Sequence, residues 1–161
     1  MRLLFLIAGL FTCSVTFGQT GIIGKWKPVF FNIDSMITAD VKADTTFLSA
    51  KLDEALKDDK DPKASKEMMV FVAEMMLNKM KVTEEEFTAT AGYIITDRNR
   101  NKSSQGTYTL DGQNNLVITT VKNETHTFKV SFKNDNLILT GELENREGKK
   151  GKLLVEYERV K

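Results

Sequence analysis

The sequence contains few of the residues on which covalent cross-linking and catalysis most often depend. Its 161 residues include one cysteine, one histidine, one tryptophan and two prolines. A single cysteine excludes an internal disulfide and a metal site built from several cysteines. A catalytic triad needs a base, usually histidine, next to a nucleophile and a third group that orients the base, and the chain offers one histidine for that role. We therefore expect no catalytic residues, no metal and no cofactor, and a domain that depends on its apolar core for stability.

An excess of charge of one sign is also lacking. The chain carries 23 lysine and arginine residues against 22 aspartate and glutamate residues. Proteins that bind nucleic acid usually present a clear basic excess, and this chain has none. The locally basic run at residues 98–102 has no aromatic residues interleaved with it, so we interpret it as a solvated loop. The composition therefore predicts no nucleic-acid partner.

Long apolar runs are absent except near the N-terminus. Residues 3–11 are apolar apart from a glycine and follow Arg2, and Thr16 and Gly18 place small residues where signal peptidase reads the chain. This pattern predicts a signal peptide over residues 1–18. No later run approaches the roughly 20 apolar residues that a transmembrane helix needs, so we expect no transmembrane segment.

Export of the mature chain follows from that prediction. We expect a single domain over residues 19–161 that is periplasmic or secreted. The alternative is a lipid anchor on Cys13, although Phe11 and Thr12 do not match the residues that usually precede a lipoprotein cysteine.

The first part of the mature domain predicts one strand followed by two helices. Residues 22–33 alternate as a strand does, with Trp26, Pro28 and Phe30 on one face. Pro28 has no amide hydrogen to donate, so it indicates an edge, a bend or a bulge. Between about residues 45 and 80 the apolar residues recur at helical spacing, which predicts a two-helix insertion. Asp61-Pro62 predicts the start of the second helix, because aspartate caps helices and proline suits the first helical turn.

After residue 80 the apolar period changes to two, as in half-buried strands. Seven segments show it: 87–89, 93–95, 108–110, 116–118, 128–132, 137–139 and 153–157. Short polar turns such as Asp111-Gly112 separate most of them, so neighbouring strands must run antiparallel. With the first strand, the pattern predicts a mainly β fold, an eight-stranded antiparallel up-and-down barrel with the helices inserted between its first and second strands. The run Glu84-Glu85-Glu86 predicts a solvated acidic patch.

The two ends of the domain resemble a known superfamily. Gly24-Lys25-Trp26-Lys27 resembles the Gly-x-Trp signature of lipocalins, and Tyr157-Glu158-Arg159-Val160 resembles the end of fatty-acid-binding proteins. The chain is thus similar to a secreted bacterial lipocalin-like domain of the calycin superfamily. The resemblance implies a barrel that binds a small hydrophobic molecule, with Gly24, Trp26 and Arg159 as its structural signature and Arg159 beside the Trp26 ring.

One departure from the family concerns the ligand. Fatty-acid-binding proteins hold the ligand carboxylate with an Arg-x-Tyr pair in the last strand. Tyr157 matches the tyrosine, but Val155 stands at the arginine position. The resemblance therefore does not imply a clamp for a carboxylate.

Candidate binding residues follow from the predicted inner faces. The predicted barrel interior consists of Phe30, Phe87, Tyr93, Tyr108, Phe128, Val130 and Tyr157. A methionine-rich helix could form a lid over the mouth that repacks around a guest, with Met68, Phe71, Met75 and Met76 as its apolar stripe. His126 shares the parity of Phe128 and predicts a polar residue at the rim. We expect a binding protein for a small hydrophobic ligand, and the alternative is a filled barrel that acts as a non-catalytic surface or accessory protein-interaction module.

Overall fold

Ten strands and two helices make up the part of the chain that the computed structural model describes, residues 21–144 and 150–161. In chain order they are β1 (Gly24–Ile33), β2 (Ile37–Asp40), β3 (Thr45–Leu48), α1 (Ala50–Ala55), α2 (Pro62–Val82), β4 (Thr83–Phe87), β5 (Gly92–Asp97), β6 (Lys102–Leu110), β7 (Asn115–Thr120), β8 (Thr125–Lys133), β9 (Asn136–Glu144) and β10 (Lys150–Arg159). The predicted signal peptide with Cys13 lies outside the described residues.

Eight of these strands close into an antiparallel barrel. Strands β4 to β10 pair in chain order, and β1 pairs with β4 through residues 24–26 and with β10 along most of its length. Because β1 joins both ends of the meander, the sheet closes on itself. The predicted mainly β fold and its eight-stranded barrel are confirmed. We name the end where β1 begins the closed end, and the end where β1 finishes the open end.

The helices do not follow the first strand directly, and that part of the prediction was wrong. A hairpin of two four-residue strands, β2 and β3, extends the sheet from the second half of β1, and the helices come after it. Residues 45–48, where the helical insertion was predicted to begin, pair with β2. A segment of four residues is too short to show whether its apolar residues repeat with the period of a strand or with that of a helix.

A bulge in β1 changes which side chains face inward. The register against β10 shifts between Pro28 and Phe30, where β1 has one residue more than its partner. The predicted irregularity at Pro28 is thus confirmed. The extra residue reverses the alternation, so Phe31 is buried while Phe30 pairs with the outward-facing Glu156. The prediction that Phe30 lines the interior was therefore wrong.

The apolar core has two parts that meet at Val155. We name the first the barrel cluster, whose buried members are Ile22, Trp26, Phe87, Tyr93, Tyr108, Leu110, Leu116, Ile118, Val130, Leu137, Leu139 and Tyr157. We name the second the helix cluster, whose buried members are Phe31, Ile37, Ala39, Ala73 and Leu77. The helix cluster joins α2 to β1 and β2, so α2 is anchored at the open end of the barrel.

Helix α2 begins where the sequence predicted and buries a different stripe. The Asp61 carboxylate accepts a hydrogen bond from the helix backbone at 3.0 Å, and Pro62 occupies the first turn. Its buried residues are Ala73 and Leu77, and its partly buried methionines on the helix cluster are Met69, Met76 and Met80. Neither described helix is long and apolar enough to cross a bilayer.

Candidate functional site

Most of the predicted interior residues fill the closed half of the barrel. Five of the seven belong to the barrel cluster: Phe87, Tyr93, Tyr108, Val130 and Tyr157. The Phe87 ring lies 5.1 Å from the Tyr93 ring and meets the Tyr108 ring edge-on at 5.2 Å. Side chains packed at such distances exclude a guest. The structure therefore places these residues in a packed core and places Phe128 alone of the seven at an opening.

The closed end is sealed by the residues that carried the family resemblance. The Arg159 guanidinium lies 4.3 Å from the centre of the Trp26 ring and donates hydrogen bonds to the Ile23 and Gly21 carbonyls at 3.0 and 2.9 Å. The predicted contact between Arg159 and Trp26 is thus confirmed. Gly24 has a φ of +134°, and a Cβ on it would lie 2.7 Å from the guanidinium. Glycine is required there for both its backbone freedom and its small size.

Strands β8 and β9 separate at the open end, and we name this separation the fork. Their pairing runs from Lys133 and Asn136 only as far as Phe128 and Gly141. Beyond that point residues 125–127 of β8 remain paired with β7, while residues 142–144 of β9 remain paired with β10. The barrel wall is therefore interrupted between two strands that each keep their outer neighbour.

A cleft of about 630 Å³ occupies the fork. Phe128, Gly141 and Leu153 contribute the inner-face part of its lining, and His126 lines it as a solvent-exposed residue, in keeping with its predicted rim position. The Phe128 ring lies directly over Gly141, because a Cβ there would be 2.8 Å from a ring carbon. The volume falls within the range of small-molecule sites, about 300–1,000 Å³.

The charged groups around the cleft are largely engaged with the protein itself. Lys129 donates a hydrogen bond to the Gln113 carbonyl at 2.8 Å, and Glu142 pairs with Lys150 at 3.0 Å. Lys152 also lines the cleft; its backbone amide donates a hydrogen bond to Asp34 at 2.6 Å, while its side chain is exposed to solvent. The rim of the cleft is therefore polar, while its floor is apolar.

The inner wall of the open half retains accessible surface. Ile95, Phe128 and Val155 all point into the barrel, yet they are only half-buried and pack against the edge of the barrel cluster. Leu153, one inward position closer to the open end than Val155, is also half-buried. Inward-facing residues of a filled barrel would be enclosed as completely as Trp26 and Phe87 are. The barrel is therefore packed in its closed half and accessible in its open half.

The acidic run 84–86 contains a functional candidate that the sequence analysis missed. Glu84 and Glu86 face outward, where they pair with Arg98 at 3.4 Å and Lys25 at 3.8 Å. Glu85 alternates with them and points into the barrel, so the prediction of a solvated patch was wrong for this residue. Strict alternation in β4 could have revealed it, since the middle of three consecutive acidic residues must face the other way.

Two tyrosine hydroxyls hold the Glu85 carboxylate. Tyr93 donates a hydrogen bond to one oxygen at 2.7 Å, and Tyr157 donates to the other at 3.1 Å. Desolvation by burial raises the pKa of Glu85, whereas these hydrogen bonds and the charge of Lys79 oppose the rise. Desolvation and the neighbouring carboxylate raise the pKa of both tyrosines, so both keep their protons and remain donors.

Of the four predicted lid residues on the methionine-rich helix, one packs against the open end of the barrel and three do not. Met76 packs on the helix cluster at the open end. The other predicted lid residues face solvent, with exposed fractions of 65% for Met68, 65% for Phe71 and 54% for Met75. The single predicted stripe is in fact two faces of α2, because the buried face is centred on Ala73 and Leu77.

Comparisons with known proteins add little to this description. No protein-family model matches the chain, and no curated protein sequence matches it significantly. Among solved structures, a DUF4847 family protein from Bacteroides vulgatus is similar with a TM-score of 0.44 and 13% identity, covering 83% of this chain and 92% of that one. A similarity of that degree assigns no function. The closed barrel is consistent with a calycin-like architecture, and a specific relation to lipocalins stays a prediction.

Proposed function

We propose that the protein is an extracytoplasmic binding protein that holds a small, mainly hydrophobic molecule in the open half of its barrel. The observation that carries this proposal is the accessible inner wall behind the fork. Phe128 and Leu153 present apolar surface to a cleft of suitable volume, and the polar rim gives a bound molecule contact with water.

The division of the barrel into two halves supports the same function. The packed closed half supplies stability, because the aromatic and aliphatic side chains of the barrel cluster are almost completely buried. The open half can then leave apolar surface uncovered without unfolding the domain. Helix α2 covers the side of the opening formed by β1 and β2, and so limits the space available to a guest.

Dye binding tests the proposal. A neutral phenylnaphthylamine dye should gain fluorescence on mixing with the protein, since its emission rises when it leaves water. Leu153→Gln, which places an amide on the cleft floor, should weaken dye binding by about tenfold, or about 1.4 kcal/mol. The matched control is Leu154→Gln, because Leu154 faces outward on the same strand. An unchanged dye affinity in Leu153→Gln, or no uptake by the parent, would contradict the proposal.

A protein-interaction module remains the second candidate function, and one observation favours it. The outward face of α2 exposes Met68, Phe71 and Met75 together, and exposed apolar patches of this kind mark contact sites with other proteins. Substitution of Phe71 by serine should leave dye binding unchanged if the cleft is the functional site. Loss of a cellular phenotype in Phe71→Ser, with full phenotype in Leu153→Gln, would favour the second candidate.

Export is part of the proposal and rests on the sequence. Cleavage before Gln19 would release a chain without cysteine. The intact mass of the protein recovered from its native host tests this directly. A mass corresponding to a lipid-modified Cys13 would show that the protein is lipid-anchored and would contradict the secreted form.

A further inference from the structure

One inward-facing carboxylate of the barrel has no ion-pair partner among the described residues. Glu85 lies where the packed half meets the accessible half, because its strand neighbours are the buried Trp26 and the half-buried Ile95. Glu85 points inward from β4 and is only half-buried. The two groups that hold it, Tyr93 and Tyr157, are neutral hydroxyl donors. Among the described residues, no lysine or arginine nitrogen lies within ion-pair distance of it. A carboxylate placed among apolar side chains is costly unless a positive charge compensates it.

The inner face of β10 connects this carboxylate to the cleft. Leu153 lines the cleft, Val155 is the next inward residue, and Tyr157 is the one after that and donates to Glu85. Four residues of a strand span about 13 Å. A linear molecule with one end at Glu85 and the other at the fork would therefore be about as long as a medium-length alkyl chain.

A ligand carboxylate does not suit this interior. Tyr157 would be the natural donor for one, but its hydroxyl already donates to Glu85 at 3.1 Å. An anionic headgroup at that depth would meet a second carboxylate instead of a donor, and like charges in a water-poor space repel strongly. The same position favours a cation, which would pair directly with Glu85, whereas the positive charge of Lys79 acts on it only from beyond ion-pair distance.

We propose that the molecule bound in the open half carries an ammonium-type cationic group that pairs with Glu85 and an apolar chain that lies along Val155 and Leu153 towards the fork. This inference rests on the proposed function and names the ligand class of the same site. Lys152 at the rim would favour the opposite charge. It stands on the outer face of β10 in water, where screening weakens its influence on an enclosed headgroup.

Three alkyl compounds that differ only in their headgroup test the inference. Decylamine, decanol and decanoate each compete with the bound phenylnaphthylamine dye at neutral pH. On the parent protein, decylamine should displace the dye at a concentration about tenfold lower than decanoate, with decanol between them. This ranking needs no variant and so does not depend on how a substitution folds.

Two variants then assign the preference to one residue. Glu85→Gln keeps the size of the side chain and removes its charge, so the decylamine preference should fall at least about fivefold. Glu86→Gln is the matched control, because it removes an outward-facing charge from the next position. It should leave the ranking unchanged.

The outcomes separate the two proposals. If the dye and all three compounds fail to bind, both the proposed function and the ligand class are wrong. If the compounds bind but decanoate binds best, the rim lysine and not Glu85 selects the headgroup, and the inference is overturned while the binding function stands. A decylamine preference that persists in Glu85→Gln also overturns it.

Discussion

Replacement of Arg159 by alanine tests whether the closed end depends on the contact between the last strand and the first. The substitution removes a guanidinium that lies 4.3 Å from the centre of the Trp26 ring. It also removes two hydrogen bonds, to the Ile23 carbonyl at 3.0 Å and the Gly21 carbonyl at 2.9 Å. All three contacts join the end of the chain to the segment around the start of β1.

The expected loss of stability follows from the kind and exposure of these contacts. A cation–π contact at an exposed site contributes about 0.5–1 kcal/mol. Hydrogen bonds from a charged donor contribute more than neutral ones, but Arg159 is exposed, so water compensates for much of their removal. Together we expect Arg159→Ala to lower the free energy of unfolding by about 2 kcal/mol.

Urea denaturation followed by Trp26 fluorescence measures the effect. With a slope of about 2 kcal/mol per molar, the midpoint should fall by about 1 M. Arg159→Lys keeps the positive charge but not the several N–H donors of the guanidinium. Its denaturation midpoint should therefore lie between those of the parent and Arg159→Ala. Lys161→Ala removes a charge from the same end of the chain and leaves all three interactions of Arg159 in place, so it serves as the control. Equal midpoints for Arg159→Ala and the parent would refute the reasoning.

Gly24 offers a second test of the same contact. Gly24→Ala introduces backbone strain at a φ of +134° and a methyl group 2.7 Å from the guanidinium. The clash disappears in the Arg159→Ala background, while the backbone strain remains. Gly24→Ala should therefore destabilise the parent more than it destabilises Arg159→Ala, and equal losses in both backgrounds would show that no clash exists.

Three further predictions concern the rest of the molecule. Gly151→Ala should lower the unfolding free energy by about 1–3 kcal/mol, because its Cβ would collide with the Asp34 carboxylate that anchors β10. If Gly151→Ala causes the same loss in an Asp34→Ala background, this reasoning is contradicted. Met76→Glu should cost about 2–4 kcal/mol by burying a charge, whereas Met75→Glu on the exposed face should stay within about 0.5 kcal/mol in the same urea assay. Since desolvation raises the pKa of Glu85 above its usual 4.5, the folded state binds its proton more tightly than the unfolded state. The stability that protonated Glu85 contributes to the folded state is therefore fully present below pH 4.5 and is lost as the pH rises through the folded-state pKa. Glu85→Gln should flatten this decline in unfolding free energy, and an unchanged pH profile would argue that Glu85 does not titrate as inferred.

The sequence alone determined the elements whose signal is local. Period-two alternation identified six of the seven strands after α2, because each strand of a barrel has one buried and one solvated face. It met the seventh, β4, only at Phe87, since residues 87–89 were predicted and the strand spans Thr83–Phe87. Asp61 and Pro62 marked the start of α2, since capping depends on neighbours in the chain. The contact between Trp26 and Arg159 was also predicted, because the two ends of the domain resemble the calycin superfamily, in which these positions meet.

Pro28 indicated an irregularity in β1, but only the tertiary structure decided how the pattern is interrupted there and elsewhere. The bulge after Pro28 turned Phe30 outward and Phe31 inward, and the alternation on either side cannot show which residue is the extra one. The fork at Phe128 and Gly141 depends on where two strands stop pairing, which is set by the twist and closure of the whole barrel. Glu85 illustrates the same limit, because alternation gives its direction, but only the closed barrel brings the hydroxyls of Tyr93 and Tyr157 to its carboxylate.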